Sequence, residues 1–211
     1  MLRTNMPSLN DPEGVWGPAG LPPVIDAHVH VFPGDIFSAI WKWFDENAWP
    51  IRYRMTTHQI FDFLLSHGIQ HVEALQYAHK PGIARQLNQY MLQECAAFEG
   101  RVTGLATVYP GEKNAETILQ EAFDAGAGGI KLHARVQCFD MNADGFQHGE
   151  TIHFNRYRPD RILYGSDFLN IPYAWDRELK ALAKCDIGID ALQRLSGKNA
   201  AELFGIQGDN K

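Results

Sequence analysis

The chain has 211 residues, of which 45% are hydrophobic and 21% are charged. This is the balance of an ordinary folded protein and excludes wholesale disorder. The formal net charge is -6 and no cluster of Lys and Arg is present, which argues against partners such as nucleic acids or anionic membranes. Three well-separated cysteines, Cys95, Cys138 and Cys185, predict free thiols in a reducing compartment rather than a disulfide framework.

Residues 1–22 are polar and rich in Pro and Gly, and they predict a flexible lead-in. They lack the apolar segment of a secretory signal peptide. The sequence has no run of about 18 apolar residues, so no membrane span is predicted. We therefore expect a cytoplasmic protein with a single domain at 23–206 and a short tail at 207–211.

The remaining sequence alternates between apolar runs and amphipathic segments. Strands are predicted at 24–32, 71–78, 101–109, 130–136 and 161–168. Helices are predicted at 36–49, 56–66, 83–98, 114–124, 173–183, 190–195 and 199–204. Thr56 and Gln59 have the spacing of a capping box for the second helix. Such alternation is typical of βαβ units, in which a parallel sheet carries its helices on the outside.

The alternation is interrupted at 139–159, a polar stretch without a convincing helix. It contains at most a short strand at 151–154. The prediction is therefore an α/β fold of five or six parallel strands with outer helices and an irregular junction. This count is too small for a complete eight-stranded barrel, which usually needs about 250 residues.

The first predicted strand carries Asp26, His28 and His30 at alternate positions. Side chains at alternate positions point the same way, about 6.8 Å apart along the strand. Two neutral imidazoles on one strand can bind one divalent metal ion. Asp26 could orient a histidine or add an oxygen ligand. The alternative is a pair of core or surface histidines.

Two further strand ends carry polar groups. Asp167 lies at the end of the apolar strand 161–168 and could bind the same metal and accept a proton from water, or it could be an ordinary helix N-cap or turn residue. Lys131 and His133 share one face of the predicted strand 130–136. Lys131 could meet a substrate carboxylate or be carbamylated between two metals. His133 could ligate metal or transfer protons, and a solvated Lys at a strand end is the alternative.

Other chemical groups give weaker signals. Residues 77–80 could line the mouth of a pocket, whereas His148 and His153 are interpreted as surface histidines. Trp41, Trp43, Phe44 and Trp49 are interpreted as packing residues rather than as a platform for substrate stacking. Cys138 lacks the neighbours of a catalytic nucleophile. No glycine-rich phosphate loop is present.

Together these stretches resemble the amidohydrolase superfamily. The branch that they resemble most is the amidohydrolase-related one, which includes aminocarboxymuconate-semialdehyde decarboxylase and related hydrolases and hydratases. The stretches that carry the resemblance are 24–30, 129–133 and 162–168, together with the last helix at 197–205. The resemblance extends over 22–142 and 158–206.

The resemblance implies that 24–30 and 162–168 are strands one and eight of a TIM barrel. It further implies that His28, His30 and Asp167 hold one divalent metal ion, which in that branch is usually zinc. Asp167 would also act as the base, with Lys131 and His133 helping to bind or convert a small carboxylated or cyclic substrate. A bound ion would lower the pKa of water to about 7.

The chain departs from the family in its middle. The family carries further histidines on strands five and six, and strands five to seven have no counterpart here. On the order of 80 residues are absent relative to a typical barrel. His153 could imitate the lost histidine of strand five. An incomplete barrel would leave two open strand edges.

Three functional hypotheses follow. The first is a metal-dependent hydrolase or carboxy-lyase. The second is an inactive remnant that interacts with a full-length paralogue, and a homo-oligomer is also open. The third is a metal-free lactonase of the same superfamily.

Overall fold

The computed structural model of the protein describes residues 10, 12–98, 100–133, 136–137, 160, 162–185 and 187–206. The strands are β1 (Val24–His30), β2 (Ile69–Leu75), β3 (Val102–Ala106) and β4 (Gly129–Ile130). The helices are α1 (Gly34–Asn47), α2 (Thr57–Ser66), α3 (Ala84–Ala96), α4 (Ala115–Asp124), α5 (Arg177–Ala183), α6 (Ile189–Gln193) and α7 (Asn199–Phe204). A π-helical turn at Arg194–Lys198 joins the last two helices.

The described strands form one parallel sheet in the order β1-β2-β3-β4, curled into a half-barrel. The predicted α/β class and the parallel sheet are confirmed. The predicted number of five or six strands is wrong for the described residues, because the sheet has four. Since parallel strands end at the same edge, the carboxyl ends of β1 to β4 lie side by side.

Two predicted strands are shorter or less regular than expected. β4 ends at Ile130, and beyond it Gln137 N–H donates to the His133 carbonyl at 2.9 Å. The predicted strand 161–168 contacts β1 only in part: Ala27 N–H donates to Tyr164 O and His30 N–H donates to Phe168 O. A single parallel bridge, between Val29 and Phe168, joins the two segments.

The helices α2 and α3 pack on one face of the sheet. Phe61 and Leu64 of α2 and Met91 of α3 are at most 1% exposed and share a core with the sheet. Gly104 of β3 lies so close to α3 that an added Cβ would be 2.8 Å from Met91 Cε. The predicted capping box of α2 is confirmed, since Gln59 N–H donates to Thr56 Oγ1 and Thr56 N–H to Gln59 Oε1.

Part of the predicted lead-in is bound to the domain. Gly14 N–H donates to Asp176 Oδ2 at 2.9 Å, and Trp175 Nε1 donates to the Gly14 carbonyl at 2.9 Å. Glu13 bonds the Tyr53 hydroxyl and pairs with Arg52. Gly14 is thereby attached to buried Trp175 and Asp176 just before α5, and Glu13 to the segment between α1 and α2.

Several predictions fall on residues outside the described ranges: the junction 139–159 with its strand at 151–154, the tail 207–211, Cys138, His148 and His153. In the described part, Cys95 and Cys185 are free thiols, as predicted. No helix among the described residues is long and apolar enough to cross a bilayer.

A buried carboxyl group on β2 gives the first testable prediction. Glu73 is fully buried, with His71 Nε2 3.4 Å from its Oε1. Burial raises the pKa of Glu73, and His71 opposes the shift. Because the pKa of Glu73 is higher in the folded chain than in the unfolded chain, where it is about 4.3, the protonated side chain favours folding. This contribution to the free energy of unfolding is complete below the unfolded pKa and is lost as the pH rises through the folded pKa. We expect Glu73→Gln to raise the melting temperature at pH 8 more than at pH 5.

The measurement is the melting temperature across pH 5–8, where each kcal/mol corresponds to about 2–4 °C for a chain of this size. Glu46→Gln on α1 is the matched control, because the side chain of Glu46 is 60% exposed. An equal effect of the two substitutions at every pH would contradict the prediction.

Candidate metal centre

Three side chains meet at the carboxyl end of β1. Nε2 of His28 and Nε2 of His30 are 3.2 Å apart. Asp167 Oδ1 lies 2.9 Å from His30 Nε2 and 3.4 Å from His28 Nε2. Among the described residues this trio forms a group whose ligand atoms are compatible with binding a metal ion. These are the three residues that the sequence predicts as metal ligands, and the structure brings them together.

The spacing of the three atoms fits a small ion. Zinc bonds of about 2.0–2.1 Å in tetrahedral geometry place neighbouring ligand atoms about 3.3 Å apart. The three distances between donor atoms here are 2.9, 3.2 and 3.4 Å. Two nitrogens and one oxygen suit zinc and other borderline divalent ions. A tetrahedral ion held by this triangle would keep its fourth position for water or substrate.

The protonation states of His28 and Asp167 also suit ligation. Burial, followed by the charges of His30 and Lys131, lowers the pKa of His28 to about 4, so its ring is neutral at pH 7. Burial acts to raise the pKa of Asp167, but the hydrogen bond from His30 and the neighbouring positive groups lower it overall. A neutral imidazole and an ionised carboxylate are the forms that bind metals.

Asp26 supports the backbone around the trio. It is fully buried, and its Oδ1 accepts from Ser166 N–H at 3.0 Å and from His28 N–H at 3.2 Å. Burial raises the pKa of Asp26 to about 6. The contact with Ser166 joins positions 140 residues apart in the chain. Asp26 therefore positions the two ligand-bearing segments through their amides rather than by orienting an imidazole ring.

A close approach of two backbones brings Asp167 to the histidines. An added Cβ on Gly165 would lie 2.6 Å from His28 Cβ, so only glycine permits this separation. Asp167 has a φ of 58°, in the left-handed region that few residues other than glycine adopt. Its neighbour Phe168 is fully buried. The chain is therefore held in an unfavourable conformation at the residue that carries the carboxylate, as is common at functional sites.

Lys131 and His133 lie next to the trio, although neither belongs to a strand. Both follow the last residue of β4, so the predicted strand 130–136 is confirmed only at its first residue and does not extend to Lys131 or His133. Burial lowers the pKa of Lys131 while Asp167 opposes the shift, and burial followed by Lys131 lowers the pKa of His133. The rings of His133 and Tyr77 make a T-shaped contact with centroids 5.0 Å apart, and those of Tyr77 and His30 make another at 5.8 Å. Tyr77, predicted only as a pocket residue, therefore bridges His30 and His133.

Gln137 positions the segment that carries His133, and no sequence pattern indicated it. It is 2% exposed, and its Oε1 accepts from His133 N–H at 2.6 Å. Its Nε2 donates to the carbonyls of Ala78 and Val108 at 3.0 and 2.9 Å. One side chain thus connects the loops that follow β2, β3 and β4.

Replacement of Gln137 by leucine keeps the approximate volume and removes these three hydrogen bonds. We expect a loss of about 1–3 kcal/mol for each carbonyl left buried without a donor. Thermal or urea unfolding measures the loss. Gln120→Leu is the control, because Gln120 makes one exposed hydrogen bond, to Asp124. If Gln137→Leu unfolds at the same urea concentration as the control, the positioning role is wrong.

The comparisons with known proteins do not identify a relative. No family model matches the chain, and no curated protein matches it. The resemblance to amidohydrolases therefore depends on the motif residues of the chain itself, and the geometry of His28, His30 and Asp167 is the independent observation that bears on function.

Proposed function

We propose that the protein is a metal-dependent hydrolase or carboxy-lyase of the amidohydrolase type, on a fold derived from a TIM barrel. Zinc is the proposed ion, and a small carboxylated or cyclic molecule is the proposed substrate. The observation that carries the proposal is the convergence of His28, His30 and Asp167 on one point at the carboxyl end of β1. This edge is where TIM-barrel enzymes carry their catalytic groups.

The side chains suit the chemistry of such a site. A divalent ion, when bound, would supply an acidified water and polarise a substrate oxygen. The side chain of Asp167 is 58% exposed, and its ionised carboxylate can accept a proton from water. The pKa of His133 is lowered by burial, so its neutral ring can accept or return a proton. Lys131 supplies a positive charge beside Asp167 that can pair with a substrate carboxylate.

The experiment is an activity screen on the full chain. Metal-free, zinc-loaded and manganese-loaded protein would be tested on lactones, p-nitrophenyl esters and aromatic carboxylic acids, with release of acid or of CO2 as the readout. We expect turnover that requires the metal and falls more than about 100-fold in Asp167→Asn, the loss typical of a removed catalytic group. Asp62→Asn on α2 is the control, because the Asp62 side chain is 64% exposed and does not belong to the trio.

Two outcomes would replace the proposal. Turnover that resists chelators would indicate a metal-free lactonase. Full zinc occupancy without turnover of any substrate in the screen would indicate a metal-binding remnant, and co-purification with a full-length paralogue would then be the next measurement.

A further inference from the structure

A cavity of about 850 Å³ opens beside the trio and has two different surfaces. Its polar surface includes His30, Tyr77, His133 and Asp167, and we call it the floor. Most of its apolar surface, which we call the wall, is formed by Ile36, Ala39, Ile40, Trp43, Phe44 and Trp49. The floor comes from β1 and from the loops that follow the strands, whereas the wall comes from α1 and the segment after it.

The wall is not explained by packing of the core. Phe37 is 1% exposed and stacks on Trp41 at 5.5 Å, so these α1 residues serve the core. Trp43 and Trp49, in contrast, are 56% and 45% exposed. The interpretation of Trp43 and Trp49 as packing residues therefore accounts for only part of their surface. Exposed aromatic groups that converge on a cavity are typical of a ligand site.

The aromatic residues of the wall are held in place. Phe44 contacts the rings of both Trp43 and Trp49, at 5.2 and 5.4 Å between centroids. Trp49 Nε1 donates to the Asn170 carbonyl at 3.0 Å, and Asn170 N–H donates to the Asp167 carbonyl at 3.1 Å. The wall is thereby connected through hydrogen bonds to the segment that carries the carboxylate of the trio.

The charges predict which end of a ligand meets the floor. Lys131 interacts electrostatically with Asp167 and His28. An ion held by the trio would add positive charge at the same place. With the ion bound, these positive charges outweigh the negative charge of Asp167, so a carboxylate is favoured at the floor and the apolar part of the same molecule would lie against α1. Asp35 at the rim carries the opposite charge, which would disfavour a second carboxylate there.

We propose that the ligand of this site is an amphiphilic carboxylate whose apolar body, larger than one ring, lies against Ile40, Trp43 and Trp49 on the wall. This inference rests on the proposed function for the position of the carboxylate, but the apolar subsite is a property of α1 and of Trp49 in the segment after it. The volume is near the upper end of the range of about 300–1,000 Å³ for small-molecule sites, which exceeds the need of a single-ring acid.

The experiment compares benzoate with biphenyl-4-carboxylate by isothermal titration calorimetry on the full chain, with and without zinc. Burial of the second ring predicts about 10- to 100-fold tighter binding of the biphenyl acid in both forms. The indole introduced by Ala39→Trp should cover the wall and abolish the preference for the biphenyl acid over benzoate. Ser38→Trp adds the same bulk to an exposed position of α1 outside the cavity, so it should retain the preference. Lys131→Met should weaken the binding of both acids.

The outcomes separate this inference from the proposed function. If the wild-type protein does not bind zinc but still prefers the biphenyl acid, the metal centre is overturned and the apolar subsite is retained. Normal zinc binding with equal affinity for the two acids would overturn the subsite alone. An unchanged preference in Ala39→Trp would also overturn it, because the second ring would then bind elsewhere.

Discussion

Substitution of His30 by alanine is expected to weaken zinc binding by more than about 100-fold, because loss of a mere supporting contact to a ligand already costs about 10- to 100-fold. His30 Nε2 lies 2.9 Å from Asp167 Oδ1 and 3.2 Å from His28 Nε2, so its removal deletes one corner of the triangle. His28→Ala should have a similar effect. Competition with a chromophoric chelator at pH 7 measures the affinity.

The control for this prediction is His58→Ala. The His58 side chain is 55% exposed on α2 and lies outside the trio, so its loss should leave zinc affinity unchanged. The melting temperature of each variant separates loss of a ligand from loss of folding. Wild-type protein that binds less than one zinc, with no difference between His30→Ala and His58→Ala, would contradict the metal centre.

Truncation of Phe168 to alanine is expected to cost about 3–5 kcal/mol of folding free energy, the range for a fully buried Phe. The ring stacks on Phe63 at 5.5 Å and meets Tyr53 at 5.0 Å. Its carbonyl accepts from His30 N–H. Because Phe168 follows Asp167, the truncation should also loosen the carboxylate and weaken zinc binding.

Phe123→Ala on α4 is the matched control, since the same atoms are removed from a side chain that is 41% exposed. Its cost should lie near the 0.5 kcal/mol typical of surface positions. Urea unfolding of both variants gives the comparison. A loss of folding free energy in Phe168→Ala as small as that in Phe123→Ala would show that the segment 162–170 contributes little to the core.

The histidine pair and the capping box illustrate what local patterns can predict. Alternation along a strand puts His28 and His30 on one side, and their Nε2 atoms do lie 3.2 Å apart. The Thr56–Gln59 spacing predicts the beginning of α2, because both partners lie within one turn. Such predictions succeed because the interacting atoms belong to neighbouring residues.

The number of strands shows where local patterns fail. The apolar run at 162–168 has the composition of a strand, yet Ser166 N–H bonds the side chain of Asp26 instead of a backbone carbonyl. Likewise, β4 ends at Ile130, and the Gln137 side chain beyond it bonds the carbonyls of Ala78 and Val108. Side-chain competition for backbone groups depends on contacts that are remote in sequence.

The sequence by itself determined the parallel α/β alternation, the start of α2 and the side of β1 that carries two imidazoles, because each depends on residues a few positions apart. Only the tertiary structure decided the rest of the site. The approach of Asp167 to the histidines requires the contact of Gly165 with His28, and the second surface of α1 becomes visible only beside the cavity. Burial and contacts between distant segments arise only when the chain packs, so the periodicity of one segment cannot predict them.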